Sequence, residues 1–158
     1  MLESLYIENF AIINQVQIDF YSGMTVLTGE TGAGKSIIID AIGQLLGQRT
    51  QPNFVKENRD YAYIEGVFTS NAKINTLLDE MHIPSDTQLI VSKKITKDGK
   101  SSIKINYRST TQMLLKTVMS NLVDIHSQFE THQLFKQSYH LQVLDDYCGK
   151  KLSILKEK

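Results

Sequence analysis

The sequence lacks most features that would tie it to a specialised environment. Cys148 is the only cysteine, so no disulfide can form within the chain, which fits a reducing compartment. The 17 basic and 17 acidic residues cancel, and zero net charge gives no overall attraction to nucleic acid or to a membrane. No apolar run approaches the roughly 20 residues of a membrane helix, and the first residues show no signal-peptide pattern. We therefore expect a cytoplasmic globular protein without a membrane partner.

The sequence does not indicate a metal site built from its own side chains. The four histidines show no ligand spacing with the cysteine or with one another. The only metal that we expect is Mg²⁺ carried by a nucleotide.

The 158 residues are enough for one domain with a proper core.

One motif stands out against this background. It matches the GxxxxGK[ST] phosphate-binding loop at every position and consists of Gly29, Glu30, Thr31, Gly32, Ala33, Gly34, Lys35 and Ser36. The glycines allow the backbone N–H groups to curl around a di- or triphosphate. Lys35 is placed to reach the β- and γ-phosphates, and the Ser36 hydroxyl to bind Mg²⁺. The motif predicts a nucleotide site at the positive end of the following helix.

The flanking residues support this interpretation. Met24–Thr28 is a short β-prone run, which we interpret as a covered parallel strand that leads into the loop. Residues 37–46 are apolar almost all round, as in a helix packed under a sheet, and Gly47 stands where a C-terminal cap is expected.

The rest of the chain reads as mixed strands and helices. We predict strands around residues 5–8, 16–20, 61–68, 89–91, 103–105 and 122–125. Asp98-Gly99 marks a hairpin turn between two of them. Helices are predicted over Lys73–Met81, from a cap at Ser109 or Thr110 to about Met119, and from about His132 onward.

A complete phosphate-loop enzyme also needs an acidic residue after an apolar strand, to orient Mg²⁺ and the attacking water. Asp124 follows only two apolar residues, and Asp145 lies in a segment that reads as helix. One alternative is a self-contained small kinase or NTPase that uses one of these acids. Another is a non-catalytic module that pairs through its C-terminal helix. A phosphate loop without a convincing acidic strand favours a chain that contains only part of a catalytic site.

Several separated motifs resemble the start of the RecN family of bacterial DNA repair proteins, which are SMC-like ABC ATPases. They are the run from Leu5 to Ile13, Val26–Ser36, Asp40–Gly43, Leu46–Arg49, Val123–Glu130 and Leu144–Gly149. The resemblance implies an α/β phosphate-loop fold of the ABC/SMC-type ATPase head. Residues 1–137 would form its N-terminal half, and residues 138–158 the start of a coiled-coil helix.

The resemblance also implies roles and partners. ATP and Mg²⁺ would be held by the Gly29–Ser36 loop, and Gln128 would contact Mg²⁺ and the attacking water as the Q-loop glutamine. The acidic strand and the signature loop would come from a C-terminal half-head, and a second head would close on the nucleotide in a homodimer. DNA would be bound without sequence preference, in double-strand-break repair and recombination in the bacterial nucleoid. The half on its own is expected to be almost inactive.

Three residues depart from the family pattern. Ser127 stands where a glycine is usual after the histidine, Tyr107 replaces a glycine and leaves the turn there uncertain, and Lys56 replaces an arginine near the DNA-facing surface. Lysine keeps the charge but not the fork geometry.

A basic segment offers a candidate DNA contact. Six basic residues between Lys93 and Arg108 face a single acid, Asp98, which would make a projecting hairpin locally positive. The alternative is a solvated edge hairpin whose lysines prevent sheet aggregation. The candidate contacts are Lys56, Lys93, Lys94, Lys97 and Lys100.

Overall fold

A computed structural model describes residues 1–29 and 34–123. Its strands are β1 (Leu2–Phe10), β2 (Ile13–Asp19), β3 (Tyr61–Thr69), β4 (Gln88–Thr96), β5 (Ser101–Ile105) and β6 (Arg108–Thr110). Its helices are α1 (Lys35–Leu45), α2 (Ala72–Glu80) and α3 (Gln112–Met119), with a short 3₁₀ turn at Pro52–Phe54. The predicted hairpin strands, the helix after the loop and the helix near Lys73 are confirmed.

The six strands form one antiparallel sheet in the order β2-β1-β3-β4-β5-β6. Alternation along each strand sends one set of side chains inward and the other outward. The inward set is buried, as in Leu5 and Ile7 of β1 and Ala62, Ile64 and Phe68 of β3. The outward set includes Tyr6 and Tyr63, whose rings meet edge to face at 6.2 Å between centroids.

Helix α1 packs on the inward face against β1, β3 and β4. Gly66 makes this approach possible, because a Cβ there would lie 2.7 Å from Cδ1 of Leu45. Gly47 follows the helix with φ of 86°, and the N–H of Gln48 donates to the carbonyl of Gly43 at 2.9 Å. The predicted C-terminal cap is confirmed, and the buried residues of α1 lie in its second half, from Ala41 to Leu45.

The caps of the other two helices are side-chain oxygens. Asn71 accepts from the N–H of Ile74 at 2.9 Å, and Thr111 accepts from the N–H of Leu114 at 3.3 Å. The prediction of Ser109 or Thr110 as the cap of α3 is wrong. Both residues lie in β6, where Ser109 pairs with Lys104 and Thr110 with Ile103, so the helix begins one residue later.

Two turns shape the far end of the sheet. The β4–β5 turn contains four residues, Lys97–Lys100, and its Asp98-Gly99 pair is where the sequence predicts it. The β5–β6 turn has two residues, Asn106 and Tyr107, with left-handed φ angles of 43° and 65°. The Asn106 side chain accepts from the N–H of Ile90 and donates to the carbonyl of Pro84. The turn thus forms although a tyrosine stands in the glycine position.

The segment before the phosphate loop differs from the prediction. Met24–Thr28 is not a strand, and Met24 and Val26 are 90% and 64% exposed. An apolar run becomes a strand only when a neighbour pairs its backbone, and the described sheet gives this segment no such neighbour. Leu122 and Val123 are likewise outside any strand, and the rest of that predicted strand lies beyond the described residues.

None of the described helices is long and apolar enough to cross a bilayer. The predicted C-terminal helix from His132 and the division at residue 138 lie outside the described residues.

Candidate nucleotide-binding site

The described part of the phosphate loop centres on the start of α1. Gly34 has φ of 96°, a left-handed conformation that favours glycine, and Lys35 opens the helix. The first turn of α1 contains no acidic residue, so the positive end of the helix is not offset by a carboxylate there. The Lys35 ammonium donates to the carbonyl of Gly29. A left-handed glycine, a lysine and a helix start without a carboxylate are the features that the predicted phosphate site requires.

Other predicted site residues cannot be placed. Glu30, Thr31, Gly32 and Ala33 lie outside the described residues, as do Gln128 and the two candidate acids, Asp124 and Asp145. Their roles remain predictions from the sequence and from the family resemblance.

A cleft of about 310 Å³ adjoins the start of α1. Gly34, Lys35 and Ile38 of the loop and of α1 line it, together with Leu27 and Thr28 before the loop. The remaining lining residues form an apolar wall that comes from the β1–β2 hairpin: Ile12, Ile13 and Val16. A phosphate cradle beside an apolar wall suits a ligand with a charged tail and a flat, weakly polar ring.

Sequence reasoning missed that apolar wall. The available signal was Ala11-Ile12-Ile13, an apolar triplet at the turn between two alternating strands. Turn residues are usually polar, so an isoleucine that is 64% exposed there is a candidate contact for a ligand.

The far end of α1 is anchored by a buried lysine. The Lys93 ammonium donates to Oε1 of Gln44 at 3.0 Å and to the carbonyl of Gln48 at 3.3 Å. Burial lowers the pKa of Lys93 to about 8, with a smaller effect from the charge of Lys116. The negative end of the α1 dipole favours a cation at this place, so Lys93 ties α1 to β4.

This burial corrects one candidate DNA contact. The side chain of Lys93 is fully buried on the inward face, paired in register with Ile64 and Ile103. It cannot reach a phosphate backbone in this conformation.

The remaining basic candidates are accessible but differ in their surroundings. Lys94 lies over the Tyr61 ring, 4.2 Å from its centroid. Lys97 pairs with Asp60 at 2.9 Å, which raises the pKa of Lys97 and lowers that of Asp60. Lys100 is exposed in the same turn. Lys56 lies elsewhere, with its ammonium 3.0 Å from the carbonyl of Ile12 on the cleft wall.

The amino-acid sequence is similar to that of known proteins. Residues 4–157 match the family model of an AAA domain. The chain is 43% identical over 152 residues to the DNA repair protein RecN of Halalkalibacterium halodurans and 38% identical over 151 residues to that of Vibrio cholerae. Each alignment covers 94% of this chain and 27% of the relative. The chain thus spans about a quarter of the length of these relatives.

A solved structure shares the fold. It comes from work on ATP-driven dimerization and DNA-stimulated activation of SMC ATPases, and it aligns with a TM-score of 0.68 at 22% identity. The alignment covers 90% of this chain and 95% of that one. The predicted fold class, the ATPase head of the SMC type, is confirmed. The chain therefore belongs to the AAA-domain family of phosphate-loop proteins and is similar, over nearly all of its length, to about a quarter of a RecN-type DNA repair protein.

Proposed function

We propose that this chain is the ATP-binding N-terminal half of an SMC-like ATPase head that acts in DNA double-strand-break repair and recombination. The observation that carries the proposal is the left-handed Gly34 followed by Lys35 at the start of α1, inside a complete phosphate-loop sequence. The similarity to RecN supplies the repair context.

The described residues fit a nucleotide. The N–H groups at the start of α1 and the Lys35 ammonium would hold the β- and γ-phosphates, and the Ser36 hydroxyl would be a ligand of Mg²⁺. Gln128 would take a second position near Mg²⁺ and orient the water. Bound Mg²⁺ supplies positive charge that offsets the charge on the phosphates. The apolar wall of Ile12, Ile13 and Val16 would receive the base.

The proposal includes an incomplete catalytic apparatus. A C-terminal half-head of the same protein would provide the acidic residue and the signature loop, so this chain alone would hydrolyse ATP negligibly. Two heads, in a homodimer, would engage around bound ATP and separate after hydrolysis. This cycle would clamp or tether DNA ends in the nucleoid of the bacterial cytoplasm.

DNA contact is proposed at the accessible lysines. Lys94, Lys97 and Lys100 lie along β4 and the β4–β5 turn, where they would contact phosphates without reading sequence. Lys56 would contribute as well, since its single hydrogen bond to the carbonyl of Ile12 leaves two of its three N–H donors for a phosphate.

The test is equilibrium binding of Mg²⁺-ATP to this chain by calorimetry. Lys35→Ala should weaken binding by about tenfold or more, because it removes a charged hydrogen bond to phosphate. Lys73→Ala, at an exposed position of α2, is the matched control and should bind as the wild type does. Equal affinity of the wild type and Lys35→Ala would refute the proposed site.

A further inference from the structure

The apolar wall of the cleft begins at a strained turn. Strands β1 and β2 are joined through Ala11 and Ile12, with Phe10 paired to Ile13. Asn9 and Ala11 have left-handed φ angles of 52° and 50°, which non-glycine residues adopt only at a cost in free energy. Such a conformation persists where the surrounding structure imposes it, so the turn requires a support.

The support is the segment Pro52–Lys56, here called the brace. The N–H of Ala11 donates to the carbonyl of Phe54 at 2.8 Å, and the N–H of Lys56 donates to the carbonyl of Asn9 at 2.9 Å. Phe10 and Val55 form an isolated antiparallel bridge. Backbone hydrogen bonds thus engage both strained residues.

Two side chains of the brace extend this support. The Phe54 ring stacks on the fully buried Phe10, with centroids 5.0 Å apart and planes 22° apart. The Lys56 ammonium donates to the carbonyl of Ile12 at 3.0 Å. Ile12 is one of the three wall residues that line the cleft, so Lys56 holds the peptide group at the start of the wall.

We propose that the brace sets the position of the base-contacting wall, and that Phe54 and Lys56 are positioning residues for the base of a bound nucleoside triphosphate. This inference rests on the proposed nucleotide site and adds a separate claim to it. The phosphate cradle lies on the start of α1, a different stretch of backbone from the β1–β2 turn. Loss of the brace should therefore weaken recognition of the base and leave recognition of the phosphates intact.

The experiment compares ATP with inorganic tripolyphosphate, which has the phosphates but no base, as Mg²⁺ complexes in calorimetric titrations of this chain. Lys56→Met should weaken ATP binding by up to about tenfold, because it removes the charged hydrogen bond that holds the Ile12 carbonyl, and with it the wall, in position. Tripolyphosphate binding should stay within about twofold of the wild type, since no part of the phosphate cradle changes.

Further variants separate positioning from folding. Lys56→Arg keeps a donor for the Ile12 carbonyl and should restore most of the ATP affinity. Phe54→Leu removes the stacked ring without changing the charge. It should also weaken the binding of ATP relative to the binding of tripolyphosphate. Lys73→Met is the matched control for the loss of a lysine and should bind both ligands with the affinity of the wild type.

Three results would overturn the inference. Equal weakening of ATP and tripolyphosphate in Lys56→Met would mean that Lys56 acts on the phosphates or on the fold as a whole. Unchanged ATP binding in both Lys56→Met and Phe54→Leu would mean that the wall needs no brace. A wild-type chain that binds neither ligand would contradict the proposed nucleotide site itself, and the inference with it.

Discussion

Lys93 lies in an environment that is unusual for a lysine side chain. Lysine is almost never fully buried without a charged partner. This ammonium lies on the inward face of the sheet, and among the described residues its hydrogen-bond partners are neutral oxygens of Gln44 and Gln48. Burial disfavours its charged form, so its pKa falls from 10.5 to about 8. The residue should therefore leave a signature in the pH dependence of stability.

The predicted signature is a gain in stability between pH 8 and 10.5. In this window the unfolded chain still binds the Lys93 proton and the folded chain has lost it, so the free energy of unfolding rises with pH. The contribution is at most about 1.4 kcal/mol per pH unit. Lys93→Met lacks it, and urea unfolding of both proteins below, within and above the window measures the difference.

At neutral pH the same variant should be as stable as the wild type or more stable. Oε1 of Gln44 would still accept from Thr50, and the carbonyl of Gln48 from Gln112, so neither oxygen would be left without a donor. Parallel pH profiles for the two proteins would show that Lys93 does not titrate in the folded state as proposed.

At the scale of the elements, most of the helices and turns were predictable from residues that are close together in the sequence. The apolar pattern and Gly47 defined α1, and Asp98-Gly99 marked the β4–β5 turn, because helix caps and tight turns depend on neighbouring residues. The alternation of side chains along β4 also indicates that Lys93 is buried, because Lys93 shares a face of the strand with Val91 and Ile95. The six basic residues of that segment suggested an exposed hairpin instead.

Elements that depend on distant partners were not predictable in this way. Met24–Thr28 has the composition of a covered strand, but its backbone has no pairing strand within the described sheet. The brace was not predicted either, since polar residues surround Pro52 and only the fold brings Phe54 onto Phe10. The sequence predicted the phosphate site, and the three-dimensional structure was needed to find the apolar wall of the adjoining cleft.

The β4–β5 turn carries the prediction about DNA. Replacing Lys97 and Lys100 together by glutamine should weaken DNA binding at low salt and reduce the slope of log K against log salt by up to about 1.8, or about 0.9 for each phosphate that is no longer neutralised. Lys97 should contribute less than Lys100, because Asp60 already compensates its charge.

Fluorescence anisotropy with one DNA duplex over a series of salt concentrations measures this slope. The matched control replaces Lys73 and Lys116, exposed lysines of α2 and α3. If the control pair lowers the slope as much as the turn pair does, the affinity comes from general charge and not from the turn.

At the scale of the whole molecule, several large apolar side chains near the phosphate loop are exposed in the described part of the chain. Met24, Val26 and Ile39 are exposed next to the cleft-lining residues Leu27 and Ile38. Exposed apolar residues that lie together mark interaction sites. We propose that Met24, Val26 and Ile39 contact the proposed C-terminal half-head, one strand of which would pair with Met24–Thr28.

Val26→Asp tests this assignment. The side chain is 64% exposed, so the free energy of unfolding of this chain should change by no more than about 0.5 kcal/mol. Association with a separately produced C-terminal half should fall by more than about tenfold, because a carboxylate would be buried without a partner. Met113→Asp, on the exposed side of α3, is the control and should associate normally, as measured by sedimentation or calorimetry.

The most direct test of the account is ATP turnover by this chain, first alone and then mixed with the C-terminal half of the same protein. We predict negligible turnover alone and clear turnover on mixing, which Lys35→Ala in this chain should abolish. Robust turnover by the isolated chain, lost on Asp124→Ala or Asp145→Ala, would contradict the account and favour a self-contained phosphate-loop enzyme.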